Sequence, residues 1–188
     1  MILTHYYHRD ASPFQTLSSL VEDEALNLMS NLAQKTGIVY RRFNNPQKYW
    51  RQRLKTESWL RQEFIKKGGI PISLYPLYFV VGRAVWIEEG FNRQYSTIQI
   101  PLTAFNHQQI SFTYSDSMIS YWLKNQTERE FYHSEYHGQV FTLSEICQII
   151  NEFGVPNQEW RTDRTRKYDL FIEAQIWDSI PVKKHSFT

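Results

Sequence analysis

Short runs of apolar and β-branched residues, bounded by polar or turn-forming residues, recur along the chain and predict β-strands. Most of them alternate apolar and polar side chains with a period of two, and one is continuously apolar, as in a buried strand. The predicted strands cover residues 2–8, 77–81, 97–100, 110–114, 139–141 and 170–177. Several lie close enough in sequence to pair as neighbours.

Apolar residues at helical spacing predict two helices in the first half of the chain. The first follows Ser19-Leu20-Val21-Glu22, a sequence typical of a capping box that satisfies free N–H groups at a helix start. The second begins at Pro46, which suits a first helical turn, and runs to about Lys67. The glycine pair Gly68-Gly69 is suited to end it.

The second half of the chain predicts two more helices. A short one follows Ser115 or Asp116, and a longer one follows the capping box Thr142-Leu143-Ser144-Glu145. Strands and helices are mixed without regular βαβ alternation. The sequence therefore predicts one α+β domain over residues 1–188, with a mixed or mainly antiparallel central sheet and three to four helices.

Composition describes a globular chain rather than a disordered one. The 188 residues are 41% hydrophobic and 21% charged, and a net charge of +2 neither demands nor excludes an anionic partner. Aromatic residues make up 16%, which suits either a core of large side chains or a cleft for a planar ligand. Composition does not separate these two alternatives.

The chain also carries signals about its compartment. Cys147 is the single cysteine, so no intramolecular disulfide forms and a reducing compartment is favoured. The first residues contain no apolar signal-peptide core, and the longest apolar stretch, 75–87, is too short and interrupted to span a bilayer. We therefore expect a cytoplasmic protein without membrane contact.

Several common catalytic and metal-binding motifs are missing from the sequence. It holds no glycine-rich phosphate loop, no His-Glu-x-x-His, no Cys-x-x-Cys and no Gly-x-Ser-x-Gly. His133 and His137 are four residues apart, a spacing that suits a shared metal on a helix. Because Gly138 follows and the segment is predicted to be a loop, we predict no metal site there.

The last predicted strand holds the most suggestive polar residues. Within residues 170–177, Glu173 and Gln175 point to the side opposite Ile172 and Ala174. They lie either on a solvated sheet face, which antiparallel sheets often have, or in a polar cleft.

Two segments at the ends of the chain resemble bacterial ADP-ribosyltransferases of the DNA- and toxin-type families. One is Ile172-Glu173-Ala174-Gln175-Ile176-Trp177-Asp178-Ser179-Ile180-Pro181, similar to a late strand with a catalytic glutamate that runs into an Asp-x-Ile/Val-Pro turn. The other is Leu3-Thr4-His5-Tyr6-Tyr7, similar to a first strand whose histidine contacts the NAD ribose.

This resemblance implies NAD as the cofactor and a role for three residues. Glu173 would be the catalytic residue, holding the ribose 2′-hydroxyl and stabilising developing positive charge. His5 would position the adenosine-side ribose, and Tyr78 or Tyr95 would lie beside the nicotinamide. Tyr6 departs from the pattern, since those families usually carry a small hydroxyl or aliphatic residue after the histidine.

The chain as a whole resembles a conserved bacterial family of cyanobacterial and actinobacterial type, to which no activity is attached. Four segments carry this resemblance: residues 12–17, 59–64, 136–143 and 172–178.

Two alternatives from other functional classes remain open. Basic residues of the helix 46–67, among them Arg51, Arg53, Lys55 and Arg61, could track the phosphates of a nucleic acid or meet an acidic partner. The same charges also suit a plain solvated helix face. The other alternative is a non-catalytic structural or interaction protein, with homo-oligomer formation through an aromatic surface.

Overall fold

The computed structural model describes residues 1–183, in which five strands form one antiparallel sheet. The strands are β1 (Ile2–His8), β2 (Leu77–Val81), β3 (Tyr95–Pro101), β4 (Ile110–Tyr114) and β5 (Ile172–Ile176). Their order across the sheet is β3-β1-β2-β5-β4, so only β2 separates the first strand of the chain from the last.

The helices complete the α+β fold that the sequence predicts. They are α1 (Glu22–Leu32), α2 (Pro46–Lys66), α3 (Val85–Gly90), α4 (Ser117–Leu123), α5 (Leu143–Phe153) and α6 (Ile180–Lys183). The helices α3 and α6 were not predicted, because six and four residues are too few to show a helical period. Among the described residues, no helix combines the length and the apolar character that crossing a bilayer requires.

The two faces of the sheet differ in chemistry. One, the apolar face, carries Leu3, Phe79, Phe112 and Ala174 and packs against α5. The other, the polar face, carries Thr4, Tyr78, Ser111, Thr113, Glu173 and Gln175. Helices α2 and α4 cover the polar face, and α2 packs Trp59, Leu60 and Phe64 near Trp177. The polar face is therefore buried over β2, β4 and β5, whereas the positions that the edge strand β3 adds to it, such as Gln99 opposite Thr4, are exposed.

The pairing of β1 is uneven. It pairs with β3 along all of its length, but with β2 only through Leu3–Val81 and Thr4–Val80. Beyond Thr4 the two strands separate, and a side-chain contact from His5 Nδ1 to the Tyr78 carbonyl, at 2.9 Å, spans the gap. This separation creates the opening in which the candidate site lies.

Local signals at two places gave wrong predictions. Helix α1 begins one turn after Ser19, with Val21 at its N-cap and no side-chain cap, while Ser19 Oγ donates to the Thr16 carbonyl inside a short 3₁₀ turn. The segment 139–141 is not a strand, since it contributes a single bridge between Phe141 and Phe112. By contrast, the capping box at Thr142 and the start of α2 at Pro46 are confirmed.

Candidate functional site

A cavity of about 390 Å³ lies where β1 and β2 separate. Its lining comes from β1, β2 and β5 of the sheet, from α1, α2 and α3, and from the first turn of α4. Most of the lining is aromatic or aliphatic, and a few ionisable groups, Arg42, Arg53, Asp116 and Glu173, converge within it. A concave, largely apolar space of this size with few polar groups is typical of a small-molecule site.

Glu173 is a buried carboxyl group in the wall of this cavity, with 7% of the residue exposed. Its Oε1 accepts hydrogen bonds from Gln175 Nε2 at 3.1 Å and from the Ser117 N–H at 3.3 Å. Burial, together with the nearby Asp116 carboxylate, raises the pKa of Glu173 to about 8, although both hydrogen bonds and Arg53 oppose that rise. The carboxyl group is therefore mostly protonated at neutral pH.

Asp116 and Ser117 reach Glu173 because of a tight turn between β4 and α4. Ser115 adopts a φ of +101°, an unusual conformation for a residue with a side chain, and is itself fully buried. Asp116 Oδ1 accepts from two N–H groups in the first turn of α4, as a helix N-cap does. The turn thus brings a second carboxylate towards Glu173.

Tyr78 lies in the same cavity but is already engaged on two sides. Its hydroxyl donates to Glu57 Oε1 at 2.7 Å, and the guanidinium of Arg53 lies 4.9 Å from the centre of its ring. Arg53 also forms an ion pair with Glu57 at 3.0 Å. Further hydrogen bonds from Arg53, to Ser18 Oγ and Thr16 Oγ1, fix this group between α2 and the segment before α1.

His5 also lines the cavity, yet its side chain belongs to the opposite sheet face from Glu173. Since Thr4 and Glu173 share the polar face, the next residue, His5, points the other way. Its Nδ1 donates to the Tyr78 carbonyl and its Nε2 accepts from the Phe14 N–H at 3.0 Å. Burial lowers the pKa of His5, so the ring is neutral and both nitrogens are occupied.

The basic residues of α2 are divided between two sides of the helix. Arg51 and Lys55 are exposed, whereas Arg53 points into the cavity wall. Arg61 is half-buried and donates to the Pro71 carbonyl at 3.3 Å. The four residues therefore do not form one exposed cationic surface.

Two buried hydroxyl groups among the cavity-lining residues have no hydrogen-bond partner within residues 1–183. They are Thr4 Oγ1 and the Tyr40 hydroxyl, on residues that are 1% and 4% exposed. An unpaired buried hydroxyl costs about 1–3 kcal/mol. A polar ligand that reached these groups would offset that cost.

His133 and His137 belong to a different region, where protein groups hold both ring nitrogens of His137, while His133 Nε2 is buried and has no hydrogen-bond partner within residues 1–183. His137 Nδ1 accepts from the His133 N–H at 3.1 Å, and its Nε2 donates to Asp169 at 2.8 Å. Over the described residues, no group of three or more His, Cys, Asp or Glu side chains is arranged to hold a metal ion.

Cys147 borders a second depression, of about 420 Å³, beside the end of α2. Lys67 and His107, which also line it, are exposed, and Lys67 pairs with Glu145 at 2.9 Å. No buried carboxyl group is among its described lining residues. The cavity at Glu173 is therefore the better candidate for chemistry.

Sequence reasoning missed several residues that shape the site. Asp116 was explained as a helix cap alone, although it also faces Glu173. Glu57 and Gln175 were given no role in the sequence analysis. Glu57 lies four residues after Arg53 on a helix, and Gln175 lies two residues after Glu173 on a strand, so both spacings were visible in the sequence. No protein-family model, curated protein or solved structure matches the chain.

Proposed function

We propose that the cavity binds NAD and that the protein transfers ADP-ribose from it, with Glu173 as the catalytic residue. One observation carries the proposal. His5, Glu173 and Tyr78, the last being one of the two tyrosines offered for the nicotinamide position, come from three neighbouring strands and line a single cavity, whereas Tyr95 is not among its lining residues. Burial also raises the pKa of Glu173 to about 8, and perturbed pKa values are common among functional groups.

The proposed reaction breaks the bond between ribose C1′ and the nicotinamide nitrogen. The electron pair of that bond leaves with nicotinamide, and the ribose becomes an oxocarbenium-like cation. Ionised Glu173 would hold the 2′-hydroxyl and stabilise the positive charge that develops beside it. An acceptor nucleophile, or water, then attacks C1′ and gives up its proton.

The remaining lining of the cavity is suited to the other parts of NAD. Aromatic side chains such as Trp86 and Phe171 offer surfaces for a planar ring. Arg42 lines the same space from an exposed position, and a guanidinium is well suited to a pyrophosphate group. The unpaired hydroxyls of Thr4 and Tyr40 could meet polar groups of the ligand.

His5 has a supporting part in this proposal. Because both ring nitrogens already bind protein groups, His5 holds β1 to β2 and fixes the segment at Phe14 that borders the cavity. It therefore acts as a positioning residue in this conformation, not as a direct ligand of the ribose.

The first test is NAD turnover by the wild-type protein and by Glu173→Gln. We expect nicotinamide release with water as the acceptor, and a loss of at least about 100-fold in kcat for the variant, in the range for removal of a charge-stabilising group. Glu135→Gln changes an exposed glutamate in the same way and should leave turnover unaltered. No binding of millimolar NAD to the wild-type protein in calorimetry would refute the proposal.

The pH dependence of turnover gives a second prediction. Only the ionised form of Glu173 stabilises a cation, and its ionised fraction rises about tenfold per pH unit below a pKa near 8. We expect kcat/KM for NAD to rise from pH 6 to pH 8 and then to level off. Asp116→Asn keeps a helix cap but removes the neighbouring charge, so it should move the midpoint to lower pH. A flat profile would exclude Glu173 from the reaction.

A further inference from the structure

A continuous line of hydrogen bonds crosses the polar face and ends at Glu173. Trp177 Nε1 donates to Ser111 Oγ at 2.9 Å, and Ser111 Oγ donates to Gln175 Oε1 at 2.8 Å. Gln175 Nε2 then donates to Glu173 Oε1 at 3.1 Å. Ser111, Gln175 and Trp177 are fully buried, so water does not compete for these groups.

The chemistry of the donors fixes the direction of this line. An indole N–H can only donate, so Ser111 Oγ accepts from Trp177 and keeps its own hydrogen free to donate to Gln175 Oε1. The amide oxygen of Gln175 therefore faces Ser111 and the amide nitrogen faces Glu173. Thr113 agrees with this orientation, because its hydroxyl donates to the Ser115 carbonyl at 2.9 Å and accepts from Gln175 Nε2 at 3.1 Å.

The orientation of the Gln175 amide decides which oxygen of Glu173 is available to a ligand. Oε1 accepts two N–H groups, from Gln175 and Ser117, and so has no room for a proton of its own. In the neutral carboxyl group the proton must lie on Oε2. No hydrogen bond from residues 1–183 reaches Oε2, which leaves that oxygen for a molecule in the cavity.

We infer that Gln175, oriented by Trp177 through Ser111, is a positioning residue that reserves Oε1 of Glu173 for the protein and presents Oε2 to the ligand. The role in catalysis rests on the proposed function, whereas the orientation of the carboxyl group is a property of the free protein. The two parts can therefore be tested separately.

Other titratable groups around Glu173 act on the same carboxyl group and have to stay in place during a test. They are Asp116 at the start of α4, Arg53 and its partner Glu57 on α2, and Tyr78 on β2. Asp116 disfavours the ionised form of Glu173, and Arg53 favours it. Substitutions at Gln175 and Ser111 leave all four residues unchanged.

The test follows the titration of Glu173 by carboxyl ¹³C NMR in the free protein. Gln175→Met keeps the length of the side chain but removes both N–H groups, so the midpoint should rise by about one pH unit as the ionised form loses a donor. Ser111→Ala frees the amide to rotate and should raise the midpoint in the same direction, whereas Ser111→Thr keeps the hydroxyl and should restore the wild-type value. Circular dichroism checks that each variant is folded.

Turnover of NAD separates the inference from the proposed function. With NAD as substrate, Gln175→Met should lower kcat about tenfold with little change in KM, because the carboxylate is misoriented and not removed. A wild-type protein that is inactive towards NAD but shows the expected midpoint shifts refutes the proposed function and supports the positioning role. An unchanged midpoint in folded Gln175→Met, or a Ser111→Thr variant that behaves like Ser111→Ala, overturns the positioning role.

Discussion

Two buried carboxyl groups, Asp169 and Glu173, show how partners decide what a residue does. Asp169 is fully buried and receives hydrogen bonds from His137, Tyr136 and Arg166, so both of its oxygens are used. Glu173 has one oxygen without a protein donor and a second carboxylate, Asp116, beside it. A saturated network of this kind holds a structure together, whereas an unsaturated carboxyl group in a cavity is suited to act on a ligand.

At this scale we predict that Asp169→Ala strongly destabilises the protein. The substitution leaves the Arg166 guanidinium, the His137 ring and the Tyr136 hydroxyl without their common acceptor. Removing one partner from a buried charged group costs about 3–5 kcal/mol of the free energy of unfolding. Urea unfolding measures this loss of free energy. The control is Asp163→Ala, at an exposed position, which should lose much less free energy of unfolding. Equal losses for the two variants would contradict a structural role for the Asp169 network.

At the scale of elements, the two capping-box sequences behave differently although they look alike. Thr142 and Glu145 bind each other's backbone N–H groups at the start of α5. Ser19 and Glu22 do not, because a 3₁₀ turn at Leu17–Ser19 takes up the serine and α1 begins at Glu22. In this chain, the capping sequence that follows a 3₁₀ turn does not cap its helix, and the one at Thr142 does.

This difference predicts unequal effects of one substitution at two sites. Thr142→Ala removes the hydroxyl that accepts from the Glu145 N–H and should lower the free energy of unfolding by about 1 kcal/mol. Ser19→Ala removes a hydroxyl that caps no helix and should have a smaller effect. Denaturant midpoints of the two variants against the wild type give the comparison. A larger loss for Ser19→Ala would contradict the assignment of the caps.

Helix α2 also shows why a count of charges along an element can mislead. Arg53 and Glu57, one turn apart, pair on its inner side, while Arg51 and Lys55 stay exposed on another. The helix thus supplies part of the cavity wall and only part of a basic surface.

At the scale of the whole molecule, the site depends on a sheet whose central strands β2 and β5 are covered on both faces and whose pairing between β1 and β2 is incomplete. The gap between β1 and β2 admits the cavity, and the cover of α2 and α4 removes water from Glu173. The folded protein thus keeps a carboxyl group where its charge is disfavoured. The ionised form of Glu173 therefore lowers the stability of the folded protein.

The destabilising effect of ionised Glu173 should be visible as a pH-dependent difference in stability between the wild-type protein and a variant without this carboxyl group. The pKa of Glu173 is raised on folding, so its stabilising contribution is fully present below the unfolded value of about 4.3 and is lost as pH rises towards 8. The loss is up to about 1.4 kcal/mol per pH unit within that window. Glu173→Gln carries no proton to lose, so its free energy of unfolding should increase relative to wild type between pH 5 and pH 8.

Urea unfolding of wild type, Glu173→Gln and the exposed control Glu135→Gln at several pH values measures this difference. Because the other titrating groups are common to all three proteins, their effects largely cancel. A gap between Glu173→Gln and wild type that stays constant from pH 5 to pH 9 would show that Glu173 is not buried with a raised pKa.

Local sequence determined much of the fold. Apolar runs predicted the five strands, and Pro46, Gly68 and Thr142 marked helix ends that the structure confirms. These features depend on neighbouring residues alone, because period, proline geometry and capping act over one or two turns. The prediction of a helix cap at Ser19 was wrong, because Ser19 belongs to a 3₁₀ turn before the helix.

Only the tertiary structure decided the nature of the site. The sequence left Glu173 and Gln175 either solvated or in a cleft, whereas in the fold both are buried and Glu173 lines the cavity. Whether a strand face is wet depends on which distant helices cover it, and α2 and α4 lie far from β5 in the chain. The burial of Glu173, the approach of Asp116 to it and the orientation of the Gln175 amide beside Ser111 and Trp177 all arise from such long-range packing. A local sequence pattern does not record it.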